Sequence, residues 1–105
     1  MERTPPHPDP SQFALQQVLE ALVDPVRRSI VTQLDTTGLD IKCGDFDIPV
    51  SKSTATHHFN VLREAGLIRQ YYVGTARMNT LRRDDLDHVF PGLIEALISR
   101  PAARL

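Results

Sequence analysis

Residues 51–69 read SKSTATHHFNVLREAGLIR, a stretch whose first turn is polar on every side and whose remainder has one apolar face. Ser51 or Ser53 is a suitable N-cap, because a short hydroxyl side chain accepts hydrogen bonds from the free amides of a first helical turn. The apolar positions at helical spacing are Ala55, Phe59 and Leu62. Gly66 suits the turn that ends a helix. We therefore predict a helix that runs from this polar turn to about Ala65.

Two further helices are predicted upstream of this stretch. The first has Ser11 as its N-cap, and its apolar residues repeat at i, i+3, i+4 and i+7 as Leu15, Val18, Leu19 and Leu22. The second follows Asp24, whose carboxylate caps the first-turn amides, and Pro25, whose missing N–H is not needed there. Gly38 suits the C-terminal turn of this second helix. Residues 39–50 are not assigned to an element, because Gly44 and Pro49 allow at most one helical turn between them.

A β-hairpin and short terminal helices are predicted after the stretch. Residues 68–73 and 76–82 are strand-like, and Gly74 with the following threonine makes the turn between them. A short helix begins at Asp84, and Pro91 must interrupt it. The last helix carries its apolar residues on one side: Leu93, Ile94, Leu97 and Ile98.

The length of 105 residues fits one small domain. Residues 1–10 contain four prolines and few apolar groups, so we predict a disordered N-terminal arm there and a folded domain over residues 11–100. No apolar run approaches the roughly 20 residues of a membrane span, and the N-terminus lacks the apolar core of a signal peptide. A single cysteine provides no disulfide framework. We expect a cytoplasmic protein with no membrane association.

Charge is distributed unevenly along the chain. The formal net charge is −1, yet residues 51–83 hold six basic side chains and one acidic side chain. The segments on either side carry more acidic than basic groups. A basic patch of this kind attracts a polyanion even when the total charge is near zero. The alternative is an ordinary solvated face.

The order of elements indicates a winged helix-turn-helix, which is a mainly α fold with a small β-hairpin wing. In this fold the second helix of the motif lies in the major groove with its N-terminal residues at the base edges, which would explain the polar first turn. Double-stranded DNA is the expected partner. The candidate contacts on this recognition helix are Lys52, Ser53, Thr54, Thr56, His57 and Asn60. Arg77, near the hairpin tip, is expected to enter the adjacent minor groove or to hold a phosphate.

Two segments resemble the ArsR family of bacterial winged-helix repressors: ALVDPVRRSIVTQL and SKSTATHHFNVLREAGLIRQYYVGTARMNTLRRDDL. The likeness spans roughly residues 15–99. It implies a homodimer, joined by the first and last helices, that binds a partly palindromic operator and is released by an inducer or a metal. The residues expected at the dimer interface are Leu15, Val18, Leu19, Leu22, Leu93, Ile94 and Leu97.

The metal-binding motifs of that family are missing from this sequence. Metal-sensing members carry a pair of cysteines near the recognition helix, whereas residues 41–47 read IKCGDFD with Cys43 alone. Other members use several histidines around the final helix, where this chain has only His88. The adjacent His57 and His58 point about 100° apart on a helix and cannot chelate one ion together, so we expect the first to face DNA and the second to pack. No metal and no cofactor are expected, and the effector is unidentified.

The sequence has three other functional interpretations: an enzyme, a module that binds only proteins and a repressor switched by oxidation. An enzyme is not expected, because the chain has no nucleophile elbow and no glycine-rich phosphate loop. A winged-helix module that binds only proteins is one alternative to a repressor. A repressor switched by oxidation of Cys43 is the other, although a semi-buried packing role is the expectation for this thiol, since a switch needs an exposed, reactive thiolate.

Overall fold

A computed structural model of the chain describes residues 4–98. The first three residues of the expected arm and residues 99–100 of the expected domain lie outside the described residues. The helices and strands, in chain order, are α1 (Leu15–Leu22), α2 (Pro25–Thr37), β1 (Ile41–Lys42), α3 (Lys52–Ala65), β2 (Ile68–Val73), β3 (Ala76–Leu81), α4 (Arg83–Val89) and α5 (Leu93–Leu97). Single 3-10 turns occupy Pro10–Gln12 and Cys43–Asp45.

The first α-helix begins later than its sequence suggests. Ser11 is not its N-cap, because Asp9 caps a separate 3-10 turn by accepting a hydrogen bond from the Ser11 amide at 3.0 Å. Gln12 completes the cap by accepting from the Asp9 amide at 2.7 Å. Ala14 is extended, so α1 starts at Leu15.

The two long helices begin and end as their flanking residues predict. Asp24 accepts hydrogen bonds from two first-turn amides of α2, and Gly38 ends that helix in the left-handed conformation. For α3 the cap is Ser51 rather than Ser53, and its Oγ accepts from a first-turn amide at 3.3 Å. Gly66 ends α3 with φ 90°, a value that side-chain-bearing residues rarely adopt. Local caps therefore fix the length of both helices.

The predicted hairpin is present and gains a third, short strand. The sheet order is β1-β3-β2, and all pairs are antiparallel. The last pair of the hairpin joins Ile68 to Leu81, so β3 ends one residue before the predicted end of this strand. The unassigned segment between α2 and α3 supplies β1 and one 3-10 turn, which includes Gly44 and so begins before the span in which a helical turn was predicted. The mainly α fold with a β-hairpin wing is confirmed.

The core lies where α1, α2 and α3 meet the base of the sheet. Its fully buried apolar side chains are Val18, Ile30, Val31, Leu62, Leu67, Ile68, Leu86 and Ile94. Arg83 ties the C-terminal helices to this core, because it forms ion pairs with Asp35 of α2, with Asp87 of its own helix and with Glu95 of α5. The packing holds α3 with one face inward and the other outward.

The described part of the expected disordered arm lies against the folded domain. Its backbone carbonyls accept hydrogen bonds from two buried arginines: Arg63 Nε donates to Pro6 O at 3.1 Å, and Arg82 Nη1 donates to Pro8 O at 2.8 Å. The backbone N–H of Gln70 in β2 donates to His7 Nε2 at 2.8 Å. The structure differs from the expectation here because buried guanidinium groups need acceptors, which the arm supplies. Its composition alone does not reveal that.

Candidate nucleic-acid interface

The first half of α3 presents one continuous polar face. Five of the residues predicted to contact DNA are exposed and adjacent on this face, and Asn60 is half-buried at its end. They are Lys52, Ser53, Thr54, Thr56, His57 and Asn60. The opposite side of the helix is buried in the core through Phe59 and Leu62. We call the six polar residues the α3 face.

Hydrogen bonds within the first turn orient its hydroxyl groups. Thr56 Oγ1 donates to the Lys52 carbonyl at 3.0 Å, so its lone pairs remain to accept from outside. Ser51 Oγ lies 3.0 Å from Thr54 Oγ1 and 3.3 Å from Ser53 Oγ. Short, oriented hydroxyls of this kind allow close approach to phosphates and base edges.

Asn60 is held by its neighbour on the next turn. Its Oδ1 accepts a hydrogen bond from Arg63 Nη1 at 2.8 Å. The amide oxygen is therefore engaged inside the protein, and the Nδ2 amino group is the part that can donate outward. An outward donor matches the acceptors that purines present in the major groove.

The adjacent histidines have different environments, as the helical geometry predicts. His58 is 7% exposed and its Nδ1 lies 3.1 Å from Arg27 Nη1, which must donate, so the ring is neutral. Burial lowers the pKa of His58, and the positive charge of Arg27 lowers it further, against the opposing effect of Asp24. His57 is exposed on the α3 face, with its ring centroid 5.8 Å from that of its neighbour. His58 is a packing residue.

Arg77 lies deeper in the wing than its place near the hairpin tip suggests. It pairs with Tyr72 across the hairpin, and its guanidinium lies 5.5 Å from the centre of that ring. Its Nε is buried and has no hydrogen-bond partner among residues 4–98. The side chain lines a cavity together with Thr56 of α3, so it stands beside the α3 face.

A polar cluster, which sequence reasoning missed, supports this face from inside. Gln70 and Asn79 are fully buried register partners whose side chains bond at 2.8 Å. Arg63 Nη1 donates to Gln70 Oε1 at 2.8 Å, which ties α3 to the wing. The half-buried Cys43 Sγ lies 3.2 Å from Asn79 Nδ2, so this thiol packs within the cluster. The signal that could have revealed this cluster is a side-chain amide, Gln70 or Asn79, at a core-facing position of each predicted strand.

The residues predicted for a dimer interface divide into two groups. Leu15 and Leu19 of α1 are 47% and 39% exposed. Val18, Leu22 and Ile94 are at most 3% exposed, so they are core residues of the single chain and their side chains have no surface to offer a partner. These three predicted interface residues therefore pack inside the chain, whereas Leu15 and Leu19 of the same α1 stripe face outward. The remaining two, Leu93 and Leu97, are half-buried against the core.

Within residues 4–98, no three His, Cys, Asp or Glu side chains lie close enough to hold a metal ion together. In the same part of the chain, every helix is too short or too polar to cross a bilayer.

Comparisons with known proteins agree with this geometry. The chain is 34% identical over 83 residues to the "Uncharacterized HTH-type transcriptional regulator YceK" of Bacillus subtilis (strain 168), covering 77% of this chain and 83% of that relative. It matches the crystal structure of an ArsR family transcriptional regulator with a TM-score of 0.64 and 22% identity, over 87% of this chain and 92% of that chain. No protein-family model matches the chain. The chain belongs to the HTH-type transcriptional regulators, which are DNA-binding proteins, and it has the winged-helix fold of the ArsR family.

Proposed function

We propose that this protein is a cytoplasmic, homodimeric repressor whose α3 face reads the major groove of a partly palindromic operator. The observation that carries this proposal is the exposed polar face of α3 beside a wing that holds an arginine without an ion-pair partner in the described chain. Because the opposite face of α3 packs in the core, this exposed polar face is free to contact another molecule, which in this class of fold is DNA.

The residues of the α3 face divide into two roles. Lys52, Ser53 and Thr54 lie at the helix N-terminus, where backbone amides and short side chains favour phosphate contacts. Thr56, His57 and Asn60 lie one to two turns further along, where side chains reach base edges in this class of protein. Arg77 adds positive charge on the wing side of the same surface.

An unidentified effector would release the protein from its operator. Oxidation of Cys43 is a second candidate for that signal, supported by the contact of its thiol with the amide cluster that joins α3 to the wing. A module that binds only proteins is the alternative function. It is disfavoured by the positive charge of Lys52 and Arg77 on this surface, where neither side chain has an ion pair within residues 4–98.

The test is a fluorescence-anisotropy titration with the protein's own upstream DNA and with a scrambled duplex at near-physiological salt. Thr56→Ala and His57→Ala should each reduce the discrimination between the two duplexes by about five- to 160-fold, because each lost base contact is worth about 1–3 kcal/mol. Thr36→Ala is the matched control, since this exposed threonine at the end of α2 lies off the α3 face.

The outcomes separate the alternatives. Discrimination that falls in both α3 variants and is retained in Thr36→Ala supports major-groove reading by this face. Wild-type discrimination in both α3 variants would mean that the reading residues lie elsewhere. Equal, weak binding of the unmodified protein to both duplexes would mean that its operator lies outside this upstream DNA or that the winged helix binds proteins instead.

A further inference from the structure

A cavity of about 660 Å³ lies between α3, the wing and the segment that precedes α3. Its size is typical of sites that take small organic molecules. Thr56 and Arg77 contribute to its walls from opposite sides. Neither DNA reading nor the packing of the core requires an open space at this position.

One wall of the cavity is apolar. Phe46 and Phe59 form an aromatic pair there, with ring centroids 5.3 Å apart and planes tilted by 53°. Ile48, Val50 and Ala55 continue the same wall. A hydrocarbon or aromatic body seated against it would be removed from water, which is favourable by about 25 cal/mol per Å² of apolar surface.

The other wall is positively charged and carries no acid. Lys52 and Arg77 line the cavity, and no aspartate or glutamate is among the described lining residues. Neither cation has an ion pair within residues 4–98. Arg77 Nε is also buried without an acceptor, which is costly for a charged donor. Apart from the contact of Arg77 with the Tyr72 ring, no group of residues 4–98 compensates this charge.

We propose that this cavity is a binding site for a small organic anion, a monocarboxylate with an aromatic or aliphatic body. The carboxylate lies between the Arg77 guanidinium and the Lys52 ammonium, where charge-assisted hydrogen bonds are strongest. The apolar body lies against the Phe46 and Phe59 wall. Tyr72, whose ring centre lies 5.5 Å from the Arg77 guanidinium, also lines the cavity.

Occupation of this cavity has a consequence for DNA binding, which rests on the proposed function. Lys52, Thr56 and Arg77 line the cavity and also belong to the surface proposed to contact DNA. A carboxylate held by the two cations neutralises charge that DNA phosphates would otherwise use. The anion and the operator therefore compete, so the ligand acts as an inducer without a separate allosteric path.

The test begins with binding of the anion alone. Isothermal titration calorimetry of the full chain would use benzoate, 2-naphthoate and octanoate, with 2-naphthamide as the uncharged counterpart of the second. At least one carboxylate should bind with one site per chain, and the amide should bind at least about tenfold more weakly. Arg77→Gln and Lys52→Gln should each weaken the binding of the carboxylate, and Arg77→Gln should raise its dissociation constant about tenfold. Arg69→Gln is the matched control, because it removes an exposed arginine from the outward side of the same hairpin.

The results that overturn the site are distinct. Failure of all three carboxylates to bind would overturn it, as would equal binding of naphthoate and naphthamide. An equal loss in Arg69→Gln and Arg77→Gln would reduce the effect to general charge. If inorganic phosphate binds the cavity as tightly as 2-naphthoate does, the apolar wall contributes nothing to binding. Lys52 is exposed, so its variant keeps the test valid even if the Arg77 variant does not fold.

A DNA titration with and without the bound carboxylate separates this inference from the proposed function. A protein that binds its operator but no carboxylate keeps the proposed function and loses the site. A protein that binds carboxylate through Arg77 but no DNA keeps the site and loses the proposed function. Operator affinity that falls with carboxylate in the unmodified protein, and not in Arg77→Gln, supports the competition.

Discussion

His58 is a buried imidazole that the fold can accommodate only in its neutral form. Burial and Arg27 lower its pKa below the ordinary value of 6.5, and His7, which accepts from a β2 amide, has a pKa lowered by burial and by the surrounding arginines, Arg69 first. Below pH 6.5 the unfolded chain takes up protons that the native chain resists. The free energy of unfolding should therefore fall as the pH is lowered through 6.5.

The variant His58→Gln tests this at the level of one side chain. Urea unfolding between pH 7.5 and 5.5 should show a smaller loss of stability on acidification in this variant than in the unmodified protein, because one of the two resisting groups is gone. His57→Gln removes only the smallest of the effects that lower the pKa of His58, so its loss of stability on acidification should stay larger than that of His58→Gln. A pH profile that is unchanged by His58→Gln would mean that the native chain protonates this ring as readily as the unfolded chain does.

Arg63 shows why the residue scale is the hardest to predict from sequence. In the predicted helix it is one more member of a basic patch, facing solvent or DNA. In the structure it is 7% exposed and joins Pro6, Asn60 and Gln70. Its partners lie as far as 57 positions away along the chain, and no local pattern announces a contact of that range. Buried polar groups find partners through tertiary packing, which periodicity does not encode.

Elements were predictable where short-range chemistry sets them. Capping and helical spacing located α2 and α3, and the Gly74 turn located the hairpin, because each depends on residues within one or two turns. The start of α1 and the strand β1 were not predicted. Asp9 competes with Ser11 as a cap, and β1 exists because β3 offers it a long-range partner. The α3 face was predictable for the same reason as α3 itself, whereas the orientation of Arg77 depended on the register of the wing.

The ends of the two long helices provide a matched pair of glycines. Gly66 ends α3 with φ 90°, and a Cβ added there would lie 2.3 Å from the Phe13 ring. Gly38 ends α2 with φ 65° and open space around it. Gly38→Ala should cost about 1 kcal/mol from backbone conformation alone. Gly66→Ala should cost at least about 2 kcal/mol, because the ring must also move.

Chemical denaturation of the two alanine variants would measure that difference. The midpoint for Gly66→Ala should lie clearly below that for Gly38→Ala, with similar m-values for both. Equal losses of stability would show that Phe13 moves aside without cost. The contact between the segment before α1 and the end of α3 would then contribute little to how these elements are joined.

The whole molecule has charge and apolar surface on separate parts. Lys52 and Arg77 supply positive charge to the surface proposed for DNA, while α1 exposes Leu15, Leu19 and the adjoining Val23 at four-residue spacing. Val23 is 71% exposed. An apolar row of this kind on a small domain marks a surface that another molecule covers. A second copy of the chain is the occupant that the proposed operator symmetry requires, because a two-fold DNA site is read by a two-fold protein.

Leu19→Glu tests that assembly. A carboxylate placed in the middle of the apolar row would have to be buried without a partner in a dimer, so the variant should be monomeric at micromolar concentration. Light scattering should then give the 11.8 kDa chain mass for the variant and twice that mass for the unmodified protein. Leu39→Glu is the control, because Leu39 is 69% exposed on the loop after α2 and its substitution adds the same charge elsewhere.

Operator affinity should fall in the Leu19 variant, since one half-site binds far more weakly than two joined half-sites. A Leu19→Glu protein that stays dimeric and folded would show that α1 is not the seam. A monomer that still binds its operator tightly would separate DNA reading from assembly altogether.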